Sequence, residues 1–162
     1  MTRDTLAALP ILARAGYRYD SSIFPVHHDR YGIANAPLGA HAHDSGLWEL
    51  PLSVIDHGSF RLPFGGGGYL RMYPYALTRF GFRRLERIGR PGVAYVHPWE
   101  FDPGQPVVRG AGLVNTARHR IGTAANESKL VRLMREFAFA PAREVLADLG
   151  LDPAPTATPR AS

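Results

Sequence analysis

Apolar residues recur at helical spacing in some parts of this chain and form short unbroken runs in others. Residues 4–15 place Leu6, Leu9, Leu12 and Ala13 on one side of a predicted helix, with Pro10 delaying its regular start and Gly16 closing it. Tyr17–Ser22 predicts a short strand ending in a polar turn. Residues 25–46, rich in Pro, Gly, His and Asp and without periodicity, predict a long loop of the functional or mobile kind. Trp48–Ile55 and Ser59–Leu62 predict two strands around Asp56-His57-Gly58, paired as a hairpin.

After the glycine run Gly65–Gly68, Pro74 suits the first turn of a helix to about Ile88. Leu77, Phe80, Leu85 and Ile88 fall on its inner side; Arg79, Arg83, Arg84 and Arg87 take the outer side. Pro91-Gly92 marks a turn, and Val93–Val96 fits a buried strand that ends at His97-Pro98-Trp99-Glu100. Residues 102–125 read as irregular. Asn126 caps a predicted helix to about Phe137, with Leu130, Leu133, Met134 and Phe137 inward. Pro141 opens a last short helix to Leu149, closed by Gly150, and residues 152–162 predict a disordered tail. Helices alternating with apolar strands imply an α/β layered domain. The strands are too few to close a barrel, so open edges and an uncovered apolar face are expected.

Composition narrows the class. With 162 residues, 45% hydrophobic and 20% charged, the chain has the make-up of one ordinary globular domain. It has no cysteine, which excludes disulfides and thiolate metal sites. No apolar run approaches a membrane span, and no signal peptide is visible, so a cytoplasmic location is the default expectation. The formal charge of +5 rests on eighteen arginines and one lysine, Lys129. That balance favours acidic polysaccharide, anionic membrane or nucleic acid without choosing among them. The arginines of the 74–88 helix lack interleaved aromatics, so a solvated face is expected there and no nucleic-acid partner.

Candidate chemistry is sparse. His97 stands at the end of a predicted strand, where an imidazole can serve as an acid or simply pack beside Trp99. Gly65–Gly68 lacks the G-x-x-x-x-G-K-[ST] pattern of a phosphate loop. His27, His28, Asp29, His41, His43 and Asp44 are ligand types, but they lie in the irregular loop with no regular scaffold and read as solvated. No residue is nominated as a metal ligand.

Three segments in order carry a resemblance: Gly16-Tyr-Arg-Tyr-Asp-Ser-Ser-Ile-Phe-Pro25, Phe64-Gly-Gly-Gly-Gly-Tyr-Leu-Arg71 with Pro74-Tyr75, and Tyr95-Val-His-Pro-Trp-Glu100. Over roughly residues 2–147 the chain resembles the C-terminal half of polysaccharide deacetylases of the NodB homology type. It is most similar to the branch associated with exosortase and exopolysaccharide clusters. The resemblance implies a partial (β/α) barrel of the glycoside hydrolase/deacetylase type, its N-terminal strands missing. Residues 1–125 would belong to the barrel, 126–150 to a helical extension and 151–162 to the tail.

It further implies removal of N-acetyl groups from a polysaccharide, with His97 as catalytic acid and Asp20 near it. Asp20 can orient His97 or act as a turn residue toward Ser22. Gly67, Gly68, Tyr69, Arg71 and Trp99 would contact the sugar; equally, the glycines can be a connection and Tyr69 packed. A zinc-like divalent metal is implied for the complete family member. The Asp-Asp pair and the His-x-x-x-His motif that would build its site are absent from this sequence, and no Arg-x-Pro motif stands before the first helix. An incomplete, inactive half needing a missing N-terminal half is therefore expected. The alternative is a non-enzymatic half-barrel module that binds glycan or a partner through Tyr69, Tyr73, Tyr75 and Trp99.

Overall fold

The fold is known from a computed structural model, which describes residues 1–27, 31–58, 60–106 and 112–151. His28, Asp29, Ser59 and the predicted tail lie outside the described residues. The chain divides into two compact units, one of Met1–Leu62 with Ala140–Ser162 and one of Pro63–Phe139. The expected boundary between 125 and 126 instead falls inside a helix.

The first unit opens with a 3-10 turn, Arg3–Thr5, and α1, Ala8–Arg14. Pro10 is tolerated because it falls in the first turn, where the backbone N–H has no intrahelical acceptor to lose. Three two-residue strands follow, β1 Tyr19–Asp20, β2 His41–Ala42 and β3 Trp48–Glu49. They form a sheet of order β1-β3-β2, with β1 parallel and β2 antiparallel to β3.

The strand expected over Trp48–Ile55 is broken in two. Pro51 has no N–H to give a ladder, and the chain leaves the first sheet there to resume as β4, Val54–His57. β4 pairs with β5, Phe60–Pro63, in a separate two-stranded sheet. Ile23, Phe24, Leu47, Leu50 and Val54 are buried in this unit. Arg61 holds the long loop: its Nη1 donates to the carbonyls of Pro25 (3.2 Å), Ala34 and Ala36 (3.2 Å).

The second unit contains α2 Gly67–Met72, α3 Tyr75–Arg87, a 3-10 turn Pro98–Phe101, α4 Leu113–Arg120 and α5 Thr123–Glu136. The last helix, α6 Ala142–Asp148, returns to the first unit behind Pro141 as expected, with Leu146 buried.

α3 is rotated from the expected face. Thr78, Gly81, Phe82 and Leu85 are buried, while Phe80 and Ile88 are exposed. The small residues set the seam, because a Cβ on Gly81 would lie 2.7 Å from the Phe64 ring. Phe64 in turn meets Phe82 edge to face at 5.0 Å.

The strand expected at Val93–Val96 reduces to one parallel bridge, Gly66 to Tyr95, and residues 93–96 are only half-buried. Residues 102–125 were expected to be irregular, but α4 lies among them. α5 begins three residues before Asn126, behind Gly122 in the left-handed region (φ 72°), so Asn126 is no cap. It is buried and donates to the Glu100 carbonyl at 3.2 Å. Leu133 and Phe137 are buried as expected, whereas Met134 is exposed.

Candidate functional site

In the second unit, α2, α5 and the Pro98–Phe101 turn pack together and set out a group of rings. The turn begins where the sequence offers His97 and then Pro98, with its fixed φ, at the first helical position. Glu100 sits three residues on, where a carboxylate can reach back to the start of the turn. Its Oε2 accepts the His97 backbone N–H at 2.9 Å.

The His97 ring lies parallel to Trp99 (6.1 Å between centroids, 10°), and Trp99 lies parallel to His119 of α4 (4.3 Å, 14°). Tyr95 meets His97 edge on at 5.9 Å. His97 and His119 are exposed and Trp99 is 37% exposed.

Beneath the rings is a buried ion pair. Arg71 Nε stands 3.4 Å from Glu100 Oε1, and the two side chains are 4% and 2% exposed. Arg71 Nη1 also donates to the carbonyls of His119 (3.0 Å) and Ile121 (2.9 Å), and its guanidinium carbon lies 5.0 Å from the Trp99 ring centre. One arginine thus ties α2, α4 and the 3-10 turn together. Lys129 of α5 closes the end of α2, donating to the carbonyls of Leu70, Arg71 and Tyr73 at 3.0, 3.0 and 2.9 Å. These are carbonyls that a helix end leaves without intrahelical donors. Burial pushes the Lys129 ammonium below its ordinary pKa.

The glycine run serves this packing. Gly65, Gly66 and Gly67 are buried, and a Cβ on Gly66 would lie 2.6 Å from the Tyr95 hydroxyl. A Cβ on Gly67 would lie 1.7 Å from Glu100 Oε2, whereas one on Gly68 would meet nothing within 4 Å. Of the residues expected to contact sugar, Arg71 and Gly67 are buried in this framework. Gly68 and Tyr69 are half-buried, with Tyr69 beside Tyr73 at 5.6 Å. Trp99 is exposed beside His97.

Asp20 belongs to the first unit and His97 to the second. Asp20 accepts the Ser22 hydroxyl, the turn arrangement open to it from sequence. It is the register partner of Glu49 across the β1–β3 pair. Glu49 is 0% exposed; its Oε1 accepts the Ile23 N–H at 2.9 Å and its Oε2 lies 3.5 Å from His43 Nε2. Burial raises its pKa above 4.5, against the lowering effect of the Ile23 N–H; Asp20 adds to the rise and His43 opposes it.

A carboxyl raised on folding contributes stability that is full below its unfolded pKa and is lost as pH rises through the folded value. The melting temperature of the chain should therefore fall, relative to Glu49→Gln, as pH is raised from 4.5 toward neutrality. Parallel melting curves for the two proteins across that range would contradict this.

Sequence reasoning missed Glu49, Glu100 and His119 as members of these clusters. A lone acid inside the apolar run Leu47-Trp-Glu-Leu-Pro51 was the available sign of a buried, partnered carboxylate. Of the loop histidines, His41 and His43 approach each other (5.2 Å), and His28 and Asp29 lie outside the described residues. Among the described residues no three His, Cys, Asp or Glu side chains could hold a metal ion. No helix among the described residues is long and apolar enough to cross a membrane.

The described residues thus define a mixed α/β protein of small sheets and short helices, with an exposed His–Trp–His row standing on a buried arginine–glutamate pair. The chain belongs to the family described as Domain of unknown function (DUF3473), which matches residues 21–147. No curated protein matches it, and no solved structure does.

Proposed function

We propose that this chain is the C-terminal part of a metal-dependent polysaccharide deacetylase, a segment of its (β/α) barrel, with His97 as the acid that protonates the departing amine. The observation that supports this reading is the placement of His97. Its backbone is held by a buried carboxylate, its ring lies along Trp99, and the imidazole is open to solvent. Hydrolysis of an acetamide needs such a positioned acid, and imidazole suits the task near neutral pH. Trp99 and Tyr69 are the sugar-contacting candidates. Gly67 and Arg71 act by shaping the floor under Trp99.

Among the described residues no group of side chains fits the cation that this chemistry requires. In this reading its ligands come from a segment carrying Asp-Asp and His-x-x-x-His, and this chain alone is inactive. Joined to that segment, the chain should release acetate from acetylated chitooligosaccharide. His97→Ala should then lower the rate by about 10²-fold or more. An unchanged rate in His97→Ala would remove the acid assignment.

A second reading, a non-enzymatic glycan-binding module, draws on the exposed Trp99. It predicts glycan binding by the chain, but no gain of acetate release when the segment is joined.

A further inference from the structure

Charge is divided very unevenly along this chain. The unit Pro63–Phe139 holds twelve Lys and Arg against five Asp and Glu, a net +7, whereas the remainder holds seven against nine, a net −2. A genome-wide preference for arginine codons would raise both units alike, so the asymmetry belongs to the second unit itself. Such asymmetry between parts of a chain marks a surface for a polyanion.

Three of the six arginines of α3 and α5 meet glutamates. Arg79 and Arg132 meet Glu136 at 2.6 and 2.8 Å, and Arg83 meets Glu86 at 2.9 Å. Arg83 and Arg132 also lie over the rings of Phe137 (4.8 Å) and Tyr75 (4.2 Å).

The His–Trp–His row differs. Next to His119, exposed Arg120 donates to the carbonyls of Gln105 (2.9 Å) and Pro103 (3.2 Å), and no carboxylate among the described residues pairs with it. Gln105 itself donates to the Trp99 carbonyl at 3.2 Å and the Asp102 carbonyl at 3.1 Å, which brings this loop to the row. Asp102 is the acid nearest in sequence, and its Oδ1 is taken by the Gly104 N–H at 2.8 Å. The rim of Trp99 therefore offers two imidazoles and a guanidinium beside an indole.

We infer that this rim, His97, Trp99, His119 and Arg120, binds a carboxylate-bearing glycan, a polysaccharide containing uronic acid units. A charge-assisted hydrogen bond from Arg120 and hydrogen bonds from the imidazole N–H groups take the carboxylate, and the exposed edge of the indole packs against the sugar. The proposal rests on the glycan reading above and narrows it to an anionic substrate class. A single-stranded nucleic acid is the competing polyanion. It is disfavoured because Arg79, Arg83 and Arg132 of α3 and α5 are turned to glutamates or rings rather than to a shared groove.

The test is binding of the full chain, by calorimetry at low and high salt, to an oligouronate, a neutral chitooligosaccharide and a single-stranded oligonucleotide. The oligouronate should bind best and weaken steeply with salt. Arg120→Gln and His119→Gln should each lower its affinity about tenfold, Arg120→Lys should keep most of it, and Arg87→Ala on α3 should not change it. Melting temperatures of the variants separate lost binding from lost folding. If Arg120→Gln unfolds the protein, His119→Gln alone decides. Equal binding of neutral and acidic sugars would overturn the anion preference while leaving the polysaccharide reading intact. Preference for the oligonucleotide, or binding of no glycan, would overturn both.

Discussion

Arg71→Met should destabilise the chain by about 3–5 kcal/mol in chemical denaturation, because it leaves the Glu100 carboxylate buried without its counter-charge. The two side chains are 4% and 2% exposed, so water cannot take over the solvation of whichever partner remains. The same substitution strips donors from the carbonyls of His119 and Ile121, the link between α2 and α4.

Removing both charges, as in Arg71→Met with Glu100→Met, should recover part of the loss. An apolar pair of similar volume avoids the penalty of an isolated charge, but the double variant alone also takes the acceptor from the His97 N–H, so the recovery is partial. If Arg71→Met cost less than about 1 kcal/mol, the pair would have to be solvated, in the manner of a surface salt bridge. The floor under the His–Trp–His row would then not be rigid.

Adjacent glycines should respond with opposite signs. Gly67→Ala places a methyl 1.7 Å from Glu100 Oε2 and 2.5 Å from its carboxyl carbon. The carboxylate cannot swing away cheaply, being held by Arg71 and by the His97 N–H. Overpacking of this kind costs ~1–3 kcal/mol, and more where the obstacle is fixed. Gly68→Ala meets nothing within 4 Å and lies inside α2, so it should stabilise by ~0.5–1 kcal/mol. Thermal melts of the two variants decide the matter. A stabilising Gly67→Ala would mean that the glycine run is a loose connection rather than a packing surface.

How far the sequence was readable depended on where each element's stability comes from. α6 was legible because Pro141 and Gly150 bracket it, and α3 because Pro74 and a run of helix formers define its length. The inward face of α3 was not, since Thr78 and Gly81 are buried for being small, a reason that apolar periodicity does not record. α4 carries little apolar pattern in Leu113-Val-Asn-Thr-Ala-Arg-His-Arg120. Its C-terminal end is held from outside, by Arg71 on the carbonyls of His119 and Ile121 and by the bonds Arg120 makes to the 103–105 loop. Such tertiary anchoring is invisible to a local window.

The same holds for the site. His97 and Trp99 stood out because they adjoin in sequence. His119 joins them only through folding, and Arg71 looked like a sugar contact until its partner Glu100 was placed. Asn126, a natural capping residue, lies inside α5 because its amide is needed at the Glu100 carbonyl.

The metal-dependent route to amide hydrolysis needs a bound cation, and the described side chains of this polypeptide offer no cage for one. The most direct check is to supply the purified chain with zinc and acetylated chitooligosaccharide and to follow both ion binding and acetate. Neither stoichiometric, tight zinc uptake nor acetate should appear until the ligand-bearing segment is joined. Zinc held one-to-one by this chain alone, with acetate released in step and lost in His97→Ala, would contradict that view.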